Sequence, residues 1–213
     1  QARMSSQRFP GKVLAPLGGR PILKHLLEQV ARVFPLNHVT VVTSVEPSDD
    51  PLACYARNLG VAVYRGELEN VAARFQGCLR EYPCDWFVRL CADSPLLNPV
   101  VLKAVATHPH CLDFDIVTNV YPRTFPKGHS VEMVRAEVFA DLNVLTFTAD
   151  EREHVTAVFY HYPQRFRILN LTSDDPRQAD LSLVVDTVDD LRCLEMAWHE
   201  TARVREARQC EEE

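Results

Sequence analysis

The sequence predicts an α/β fold with a mostly parallel sheet. Short runs rich in β-branched and apolar residues alternate with longer segments whose apolar residues recur at helical spacing, which is typical of βαβ units. The chain has 213 residues, 46% of them hydrophobic and 24% charged, the balance of an ordinary globular protein. It shows no internal repeat, and its 7 Gly and 14 Pro argue against low-complexity disorder. We therefore expect one domain, over residues 1–198.

The first predicted elements form a βαβ unit with a preceding helix. Helix 22–34 follows Pro21, a favoured residue in a first helical turn, and its apolar residues recur at helical spacing. The run HVTVVTS (38–44) predicts a buried strand, because strands of parallel sheets are apolar on both faces. A helix over 50–59 and a short strand over 61–66 complete the unit.

The following elements repeat this alternation. Helix 68–82 has an apolar stripe that indicates core packing, and it leads into the apolar strand 85–91. Helix 98–107 and strand 114–119 come next. The remaining predicted elements are, in order, strand 131–134, helices 136–145 and 150–161, strand 167–171, strand 182–185 and a helix from about Val188.

Both ends of the sequence are polar. The chain opens at QARMSS, a loop of a kind that normally follows a buried strand, so we expect a first strand before Gln1. Residues 199–213 are predicted as a polar helical tail or linker, as in a domain fused to further domains.

Charge and cysteine usage disfavour several classes of protein. The 23 Lys and Arg are outnumbered by 29 Asp and Glu, a net charge of −6, whereas a general nucleic-acid binder needs a basic face. The longest apolar runs fall short of the roughly 20 residues that cross a bilayer, so no membrane span is expected. The seven cysteines are odd in number and form no C-x-x-C pair, which indicates free thiols in the cytoplasm.

The first candidate segment is the loop QARMSSQRFPGK. It carries Arg3, Arg8 and Lys12 with Ser5 and other small residues between them, and backbone amides with three cations can hold a polyphosphate. The loop matches neither the Walker nor the dinucleotide pattern, so the corresponding ATPases and dehydrogenases lose support. A solvated basic loop explains the same residues equally well.

Two aspartates follow predicted strands and are candidate metal ligands. Asp93 lies in CADSP and Asp186 in VVDTVDDL. A turn or helix cap explains Asp93 taken alone, and the helix dipole explains Asp189 and Asp190. A carboxylate in a cleft is costly unless a cation faces it. Because ligands of such sheets bind beyond the carboxyl ends of the strands, Asp93 and Asp186 predict a site for Mg²⁺ bound to phosphates.

Six blocks of the sequence together resemble a known family. They are QARMSSQRFPGKVLAPLGGRPIL, EPSDDPLACYARNLGVAVYRGELENV, FVRLCADSPLLNP, NVYPRTFPKGHSVEM, REHVT and VVDTVDDL. Their order and spacing are similar to those of cytidylyltransferases of the spore-coat polysaccharide biosynthesis SpsF type, relatives of the CMP-sialic acid and CMP-3-deoxy-manno-octulosonate synthetases. The resemblance extends to about Trp198, and it favours a functional role for the basic loop and both aspartates.

The resemblance implies a Rossmann-like nucleotidyltransferase fold of the GT-A-like type and a Mg²⁺-dependent reaction. An anionic acceptor, either an acidic sugar or a phosphorylated small molecule, would attack the α-phosphate of CTP and release pyrophosphate. The product would be a CMP- or CDP-activated precursor of a surface glycan. Relatives of the sialic acid synthetase type form homodimers, and a homodimer is expected here by that analogy.

The resemblance also implies roles for the matching residues. Lys12, Arg3 and Asp93 would be catalytic, and Asp93 and Asp186 would hold the metal. The nucleotide would be bound by Ala2, Arg3, Ser5, Arg8, Lys12, Arg74 and Arg89, and the acceptor by Asn119, Arg123, Glu132 and His154. From the residues alone, His154 reads as a packing or capping residue, Glu132 as an edge charge and Arg123 equally well as a surface turn. A hydroxyl acceptor would need a base, for which His154 and a metal-bound water are candidates.

Two segments depart from the family pattern. Ser130 stands where G-x-D-V-E has an acid, and NVAARF, with Ala72 and Ala73, stands where D-V-L-D-R-[YF] is common. These changes affect acceptor contacts or a second metal position, and they leave the two candidate metal ligands intact. The alternatives are a GT-A-type glycosyltransferase and a degenerate nucleotide-binding module of a larger polypeptide, which would bind nucleotide without turnover.

Overall fold

A computed structural model describes residues 1–198, and the predicted tail 199–213 lies outside the described residues. The strands are β1 Pro16–Leu17, β2 Arg20–Pro21, β3 Thr40–Ser44, β4 Ala62–Gly66, β5 Trp86–Arg89, β6 Ile116–Thr118, β7 Glu132–Arg135 and β8 Ile168–Asn170. The helices are α1 Ile22–Val30, α2 Asp50–Asn58, α3 Val71–Glu81, α4 Pro99–Ala106, α5 Ala136–Ala140, α6 Ala149–Glu153, α7 Ala157–His161 and α8 over residues 188–198.

The strands beyond the short β1–β2 hairpin form two sheets. Strands β3 and β4 pair in parallel, with α2 as the crossover between them. The larger sheet has the order β5-β7-β6-β8, in which β6 and β8 are parallel and β7 runs antiparallel between β5 and β6. The predicted α/β, Rossmann-like class is confirmed, with β7 as the antiparallel member of the larger sheet.

Helices cover both faces of the sheets, because neighbouring residues of a strand point to opposite sides. Val117 and Met133 pack into a buried apolar cluster with α1 and α4. Ile116 and Val134, their neighbours in the chain, pack into the opposite cluster with α3, α5 and α7. The two apolar clusters fix the positions of the strand ends, and therefore of the polar segments that follow them.

Residues 1 and 2 lie between β3 and β5 and connect the two sheets. On one side the Ala2 amide donates to the Val42 carbonyl at 3.1 Å. On the other, Gln1 N donates to Leu90 O at 2.6 Å, and the Gln1 carbonyl accepts from Ala92 N at 2.9 Å. A largely apolar cavity of about 580 Å³ adjoins Gln1 between the flanking strands. The first strand expected before Gln1 stays a prediction.

The predicted helix 150–161 is two short helices, α6 and α7. His154 leaves the helical conformation (φ −100°, ψ 39°), and Thr156 lies at the N-terminus of α7. The buried Thr156 hydroxyl donates to Glu132 Oε1 at 2.7 Å. This tertiary contact accompanies a bend that the apolar periodicity does not reveal.

The predicted helix 136–145 is too long, since α5 ends at Ala140. The side-chain amide of Gln76 in α3 lies 2.9 Å from the carbonyl oxygens of both Phe139 and Leu142. Carbonyls at a helix end need such external donors. The helix therefore ends where a side chain from a distant helix satisfies its carbonyls.

The predicted strand 182–185 belongs to neither sheet. Ser182 forms an isolated bridge with Lys127, and the Val185 amide donates to Asp93 O at 2.9 Å. The segment is extended, but its backbone bonds go to two different parts of the chain, so it forms no continuous ladder. The other predicted strands and helices are present, with ends that differ by a few residues.

Candidate functional site

A cleft of about 700 Å³ brings the three predicted segments together. The predicted residues that line it are Ala2, Arg3, Ser5, Arg8, Lys12, Arg74, Arg89, Asp93, His154 and Asp186. The cleft also contains Glu69 and Glu153, which sequence reasoning did not identify. The site therefore combines several cations with four carboxylates.

Lys12 lies between the two predicted metal ligands. Its Nζ is 3.0 Å from Asp93 Oδ2 and 2.9 Å from Asp186 Oδ1, and its side chain is only 11% exposed. The other oxygen of Asp186 pairs with Arg8 at 3.1 Å. Gly11, which precedes Lys12, has φ +77° and donates its amide to Met4 O at 2.8 Å, so the loop closes just before the lysine. A non-glycine residue would be strained in this left-handed conformation.

The backbone around Asp186 is held by the helix that follows it. Asp190 Oδ2 accepts from the amides of Asp186 and Thr187 at 3.0 and 2.7 Å and from the Thr187 hydroxyl at 2.8 Å. Burial would raise the pKa of the Asp190 carboxyl, but these hydrogen bonds outweigh it and lower the pKa below its ordinary value. The bond from Val185 N to Asp93 O then ties the two aspartate segments together.

Asp49, which the sequence patterns did not single out, anchors the basic loop. Its Oδ1 accepts from the Met4 amide at 2.7 Å, and its Oδ2 accepts from Thr43 Oγ1 at 2.8 Å and from the Ser44 amide and hydroxyl. Asp49 is fully buried. Burial would raise the pKa of this carboxyl, but hydrogen bonds from Ser44, Met4 and Thr43 prevail and lower it. The only local signal was a Thr-Ser pair at a strand end shortly before two aspartates.

Arg3 and Arg74, like the other arginines of the cleft, have partners within the protein. Arg3 forms a two-pronged ion pair with Glu153, at 2.6 and 3.2 Å. Arg74 is buried and donates to the carbonyls of Glu67 and Leu68 at 2.7–2.9 Å, and burial lowers its pKa below the ordinary value. Arg74 therefore holds the loop that precedes α3 in addition to lining the cleft.

The other predicted nucleotide-binding residues differ in whether their polar groups are free to contact a ligand. The Ala2 amide donates to β3, so it is not free for a base, although the residue lines the cleft. Ser5 is exposed in the cleft. Arg89 also lines the cleft, and its Nη1 donates to Glu132 Oε2 at 2.6 Å.

Three of the four predicted acceptor residues lie outside the cleft lining. Asn119 is fully buried. Its side-chain Nδ2 donates to His129 O at 2.8 Å, and its Oδ1 accepts from Val131 N at 2.9 Å, so the side chain holds the neighbouring backbone in place. Arg123 donates to the Ser130 hydroxyl at 3.0 Å, which links it to one of the positions that depart from the family pattern.

Glu132 and His154 complete the predicted acceptor set. Glu132 is buried behind the cleft. His154 lines the cleft, its side chain 62% exposed and 3.7 Å from Asp150 Oδ1. Of the four predicted acceptor residues, His154 is therefore the one that lines the cleft.

The chemistry of Asp93 and Asp186 fits a hard divalent cation. Their oxygens converge on one ammonium group, so one cation can contact both carboxylates. Within residues 1–198, no cluster of three or more His, Cys, Asp or Glu side chains could hold a metal on its own. Mg²⁺ commonly takes one or two carboxylates and completes its shell with water and substrate phosphates. Two carboxylates in a cleft of about 700 Å³ that also holds several cationic side chains match that requirement.

In the described part of the chain, no helix has the length and apolar character needed to span a membrane.

Comparison with known proteins supports the sequence resemblance. The sequence profile of the cytidylyltransferase family matches residues 1–195. The spore coat polysaccharide biosynthesis protein SpsF of Bacillus subtilis is 29% identical over 198 residues, which cover 89% of this chain and 80% of that protein.

Two solved structures share the fold. A cytidylyltransferase from Leptospira borgpetersenii superposes with a TM-score of 0.84 at 28% identity, over 92% of this chain and 82% of that one. A CMP:2-keto-3-deoxy-manno-octonic acid synthetase complexed with CTP superposes with a TM-score of 0.71 at 16% identity, over 94% and 96% of the two chains.

Proposed function

This chain belongs to the cytidylyltransferase family, and we propose that it transfers a cytidylyl group from CTP to an anionic small-molecule acceptor and releases pyrophosphate. The observation that carries the proposal is the convergence of Lys12 and Arg8 with Asp93 and Asp186 in one cleft. Cations for the phosphates and oxygen ligands for a metal are the groups that phosphoryl-type transfer requires.

The bond changes in this reaction need little covalent help from the protein. An acceptor oxygen forms a bond to the α-phosphorus, while the bond to the bridging oxygen breaks and pyrophosphate leaves with the electron pair. Positioning and charge neutralisation dominate the catalysis of such steps. Arg3, Arg8 and Lys12 would neutralise the triphosphate as charge moves onto pyrophosphate, with the Ser5 region and the backbone near Ala2 completing the nucleotide pocket.

Asp93 and Asp186 would hold Mg²⁺. Bound there, Mg²⁺ would neutralise phosphate charge and act as a Lewis acid. Lys12 pairs with both carboxylates, so a metal held there would require the ammonium to change partners. The same exchange would free the ammonium for the phosphates.

The acceptor decides whether a base is needed. A carboxylate or phosphate is ionised at pH 7 and attacks directly, whereas a hydroxyl needs a base. Exposed in the cleft, His154 is the candidate for that role. The name of the B. subtilis relative supports a product destined for a surface polysaccharide. A cytoplasmic location, a homodimer and fusion to further domains belong to this proposal as well.

Thermal stabilisation by nucleotides tests the proposal. CTP with Mg²⁺ at 100 times its dissociation constant should add about 2.7 kcal/mol to the free energy of unfolding, and UTP, ATP, GTP and dTTP should add less. Asp93→Asn should weaken the effect of CTP with Mg²⁺, whereas Asp174→Asn, an exposed carboxylate outside the cleft lining, should not.

Other outcomes point to other functions. Stabilisation by UDP-sugars in place of CTP would indicate a glycosyltransferase. CTP binding without pyrophosphate release, across acidic sugars and phosphorylated acceptors, would indicate the degenerate nucleotide-binding module.

A further inference from the structure

Glu132 lies at the centre of a buried polar network at one end of the larger sheet. It is the first residue of β7 and is directly opposite Arg89 in β5 and Thr118 in β6. Side chains at directly opposed positions of neighbouring strands project from the same face of a sheet. Glu132 is only 3% exposed, and it does not belong to the cleft lining.

Both carboxylate oxygens of Glu132 are engaged by protein groups. Oε2 accepts from Arg89 Nη1 at 2.6 Å. Oε1 accepts from the hydroxyls of Thr156 and Tyr160, each at 2.7 Å. Burial, and then the charge of Glu132, raises the pKa of Tyr160 well above its ordinary value, so the phenol keeps the proton that it donates. A buried carboxylate is tolerated when partners satisfy it in this way.

The groups that Glu132 holds belong to two segments of the cleft wall. Arg89 lines the cleft, with its side chain only 11% exposed and its Nε 3.4 Å from Gln1 Oε1. Thr156 follows Glu153 and His154, which line the cleft as well, and Glu153 pairs with Arg3. One carboxylate therefore connects the end of β5 with the turn between α6 and α7.

An arginine held by a buried carboxylate behind it is already ordered before a ligand arrives. Arg has many rotamers, and ordering a long side chain on binding costs affinity. The guanidinium also has five donors in a fixed plane, so a bond to Glu132 on one side leaves others for an anion. The network thus prepares Arg89 to receive an anionic ligand.

We propose that Glu132 is a positioning residue, which acts on CTP through Arg89 and does not touch the acceptor. This inference rests on the proposed function, because it takes the triphosphate of CTP as the anion that Arg89 receives. It replaces the acceptor-binding role that the family resemblance implied for Glu132. Thr156 and Tyr160 contribute by holding the carboxylate in place.

A double-mutant cycle on CTP affinity tests this inference. Binding of CTP with Mg²⁺ is measured by calorimetry for the wild type, Glu132→Gln, Arg89→Met and the double variant. Loss of one hydrogen-bonded charge predicts a dissociation constant about 10- to 100-fold higher for Arg89→Met, and a smaller increase of about 3- to 10-fold is expected for Glu132→Gln. If Glu132 acts only through Arg89, the double variant should bind within about two-fold of Arg89→Met.

Two results would overturn the inference. Multiplicative effects in the double variant would mean that Glu132 contacts the ligand or acts by another route. An unchanged affinity in Arg89→Met would mean that Arg89 does not receive the nucleotide. Glu137→Gln, an exposed carboxylate of α5, is the matched control and should bind CTP like the wild type.

Stability and function are separated by further measurements. Should Glu132→Gln fail to fold, Tyr160→Phe loosens the carboxylate without stranding a buried charge, and its effect on CTP affinity should likewise vanish in the Arg89→Met background. A wild-type chain that binds no CTP would refute the proposed function. The positioning role of Glu132 would then be tested by ¹⁵N NMR of the Arg89 guanidinium. Its Nη groups should rotate faster in Tyr160→Phe and in Glu132→Gln than in the wild type. Equal rotation rates in the three proteins would refute the positioning role.

Discussion

Replacing Lys12 by methionine should make the cleft bind a divalent cation more tightly when no nucleotide is present. The Lys12 ammonium lies 3.0 Å from Asp93 and 2.9 Å from Asp186, so it occupies the space between the two carboxylates. A cation that binds there must break both contacts or tolerate the ammonium beside it. Methionine keeps the length and apolar character of the lysine stem and removes the charge.

The magnitude follows from the two contacts. A hydrogen bond between charged groups contributes about 1.5–3 kcal/mol. The aspartate side chains are 24% and 35% exposed, so solvent screening reduces the total for the pair of contacts to about 1.5–3 kcal/mol. At 1.4 kcal/mol per factor of ten, the dissociation constant for the cation should fall about 10- to 100-fold.

Mn²⁺ serves as a spectroscopic probe for this prediction. Electron paramagnetic resonance of free Mn²⁺ gives the dissociation constant for the wild type, for Lys12→Met and for Lys103→Met, a control that removes an exposed lysine of α4. Lys12→Met should bind Mn²⁺ more tightly without nucleotide and should lose stabilisation by CTP, whereas the control should do neither. Equal or weaker Mn²⁺ binding by Lys12→Met would refute the view that the ammonium competes with the metal.

Three further predictions concern stability. Hydrogen bonds lower the pKa of Asp49 in the folded state, so Asp49 stabilises the fold above the ordinary carboxyl pKa, and this stabilisation is lost as the pH falls below about 4. In urea unfolding between pH 6 and pH 3, the free energy of unfolding should therefore fall less steeply for Asp49→Asn than for the wild type. Parallel curves would contradict this. Gly128 has φ +101°, and a Cβ there would come within 3.0 Å of the Leu183 backbone. Gly128→Ala should therefore lower the free energy of unfolding by about 1–3 kcal/mol. Gly60→Ala, which has open space around it, should lower the free energy of unfolding less. Adding a Val- and Ile-rich segment of about five residues before Gln1 should raise the free energy of unfolding by about 1–3 kcal/mol if the segment fills the adjoining cavity. A Gly-Ser segment of equal length should not raise it. Equal melting temperatures for the two extended chains would show that the apolar segment does not fill the cavity.

Local patterns predicted most of the elements but not the breaks within them. The βαβ alternation is carried by periodicity, which depends on residues close together in the chain, and β3, α2 and β4 lie where it placed them. The sequence over 150–161, which predicts one helix, gives no sign of the bend at His154. The bend accompanies a hydrogen bond from Thr156 to Glu132, a residue on another strand.

The same distinction applies to the site. Asp93 and Asp186 were predicted from their positions after predicted strands. Both line the cleft, although the segment before Asp186 belongs to neither sheet. Asp49 was missed as an anchor of the basic loop, since its partner Met4 is 45 residues away. Glu153, the partner of Arg3, was missed for the same reason, at a separation of 150 residues.

The α/β class, the family and the kinds of charged residue that meet in the cleft can be read from the amino-acid sequence, because periodicity and ordered motifs are properties of the chain alone. The tertiary structure alone decided which charges pair. Lys12 contacts carboxylates 81 and 174 residues away, and Glu132 is sequestered by Arg89, Thr156 and Tyr160 behind the cleft. Such pairings follow from how the core packs strands and helices, and no local pattern in the sequence encodes them.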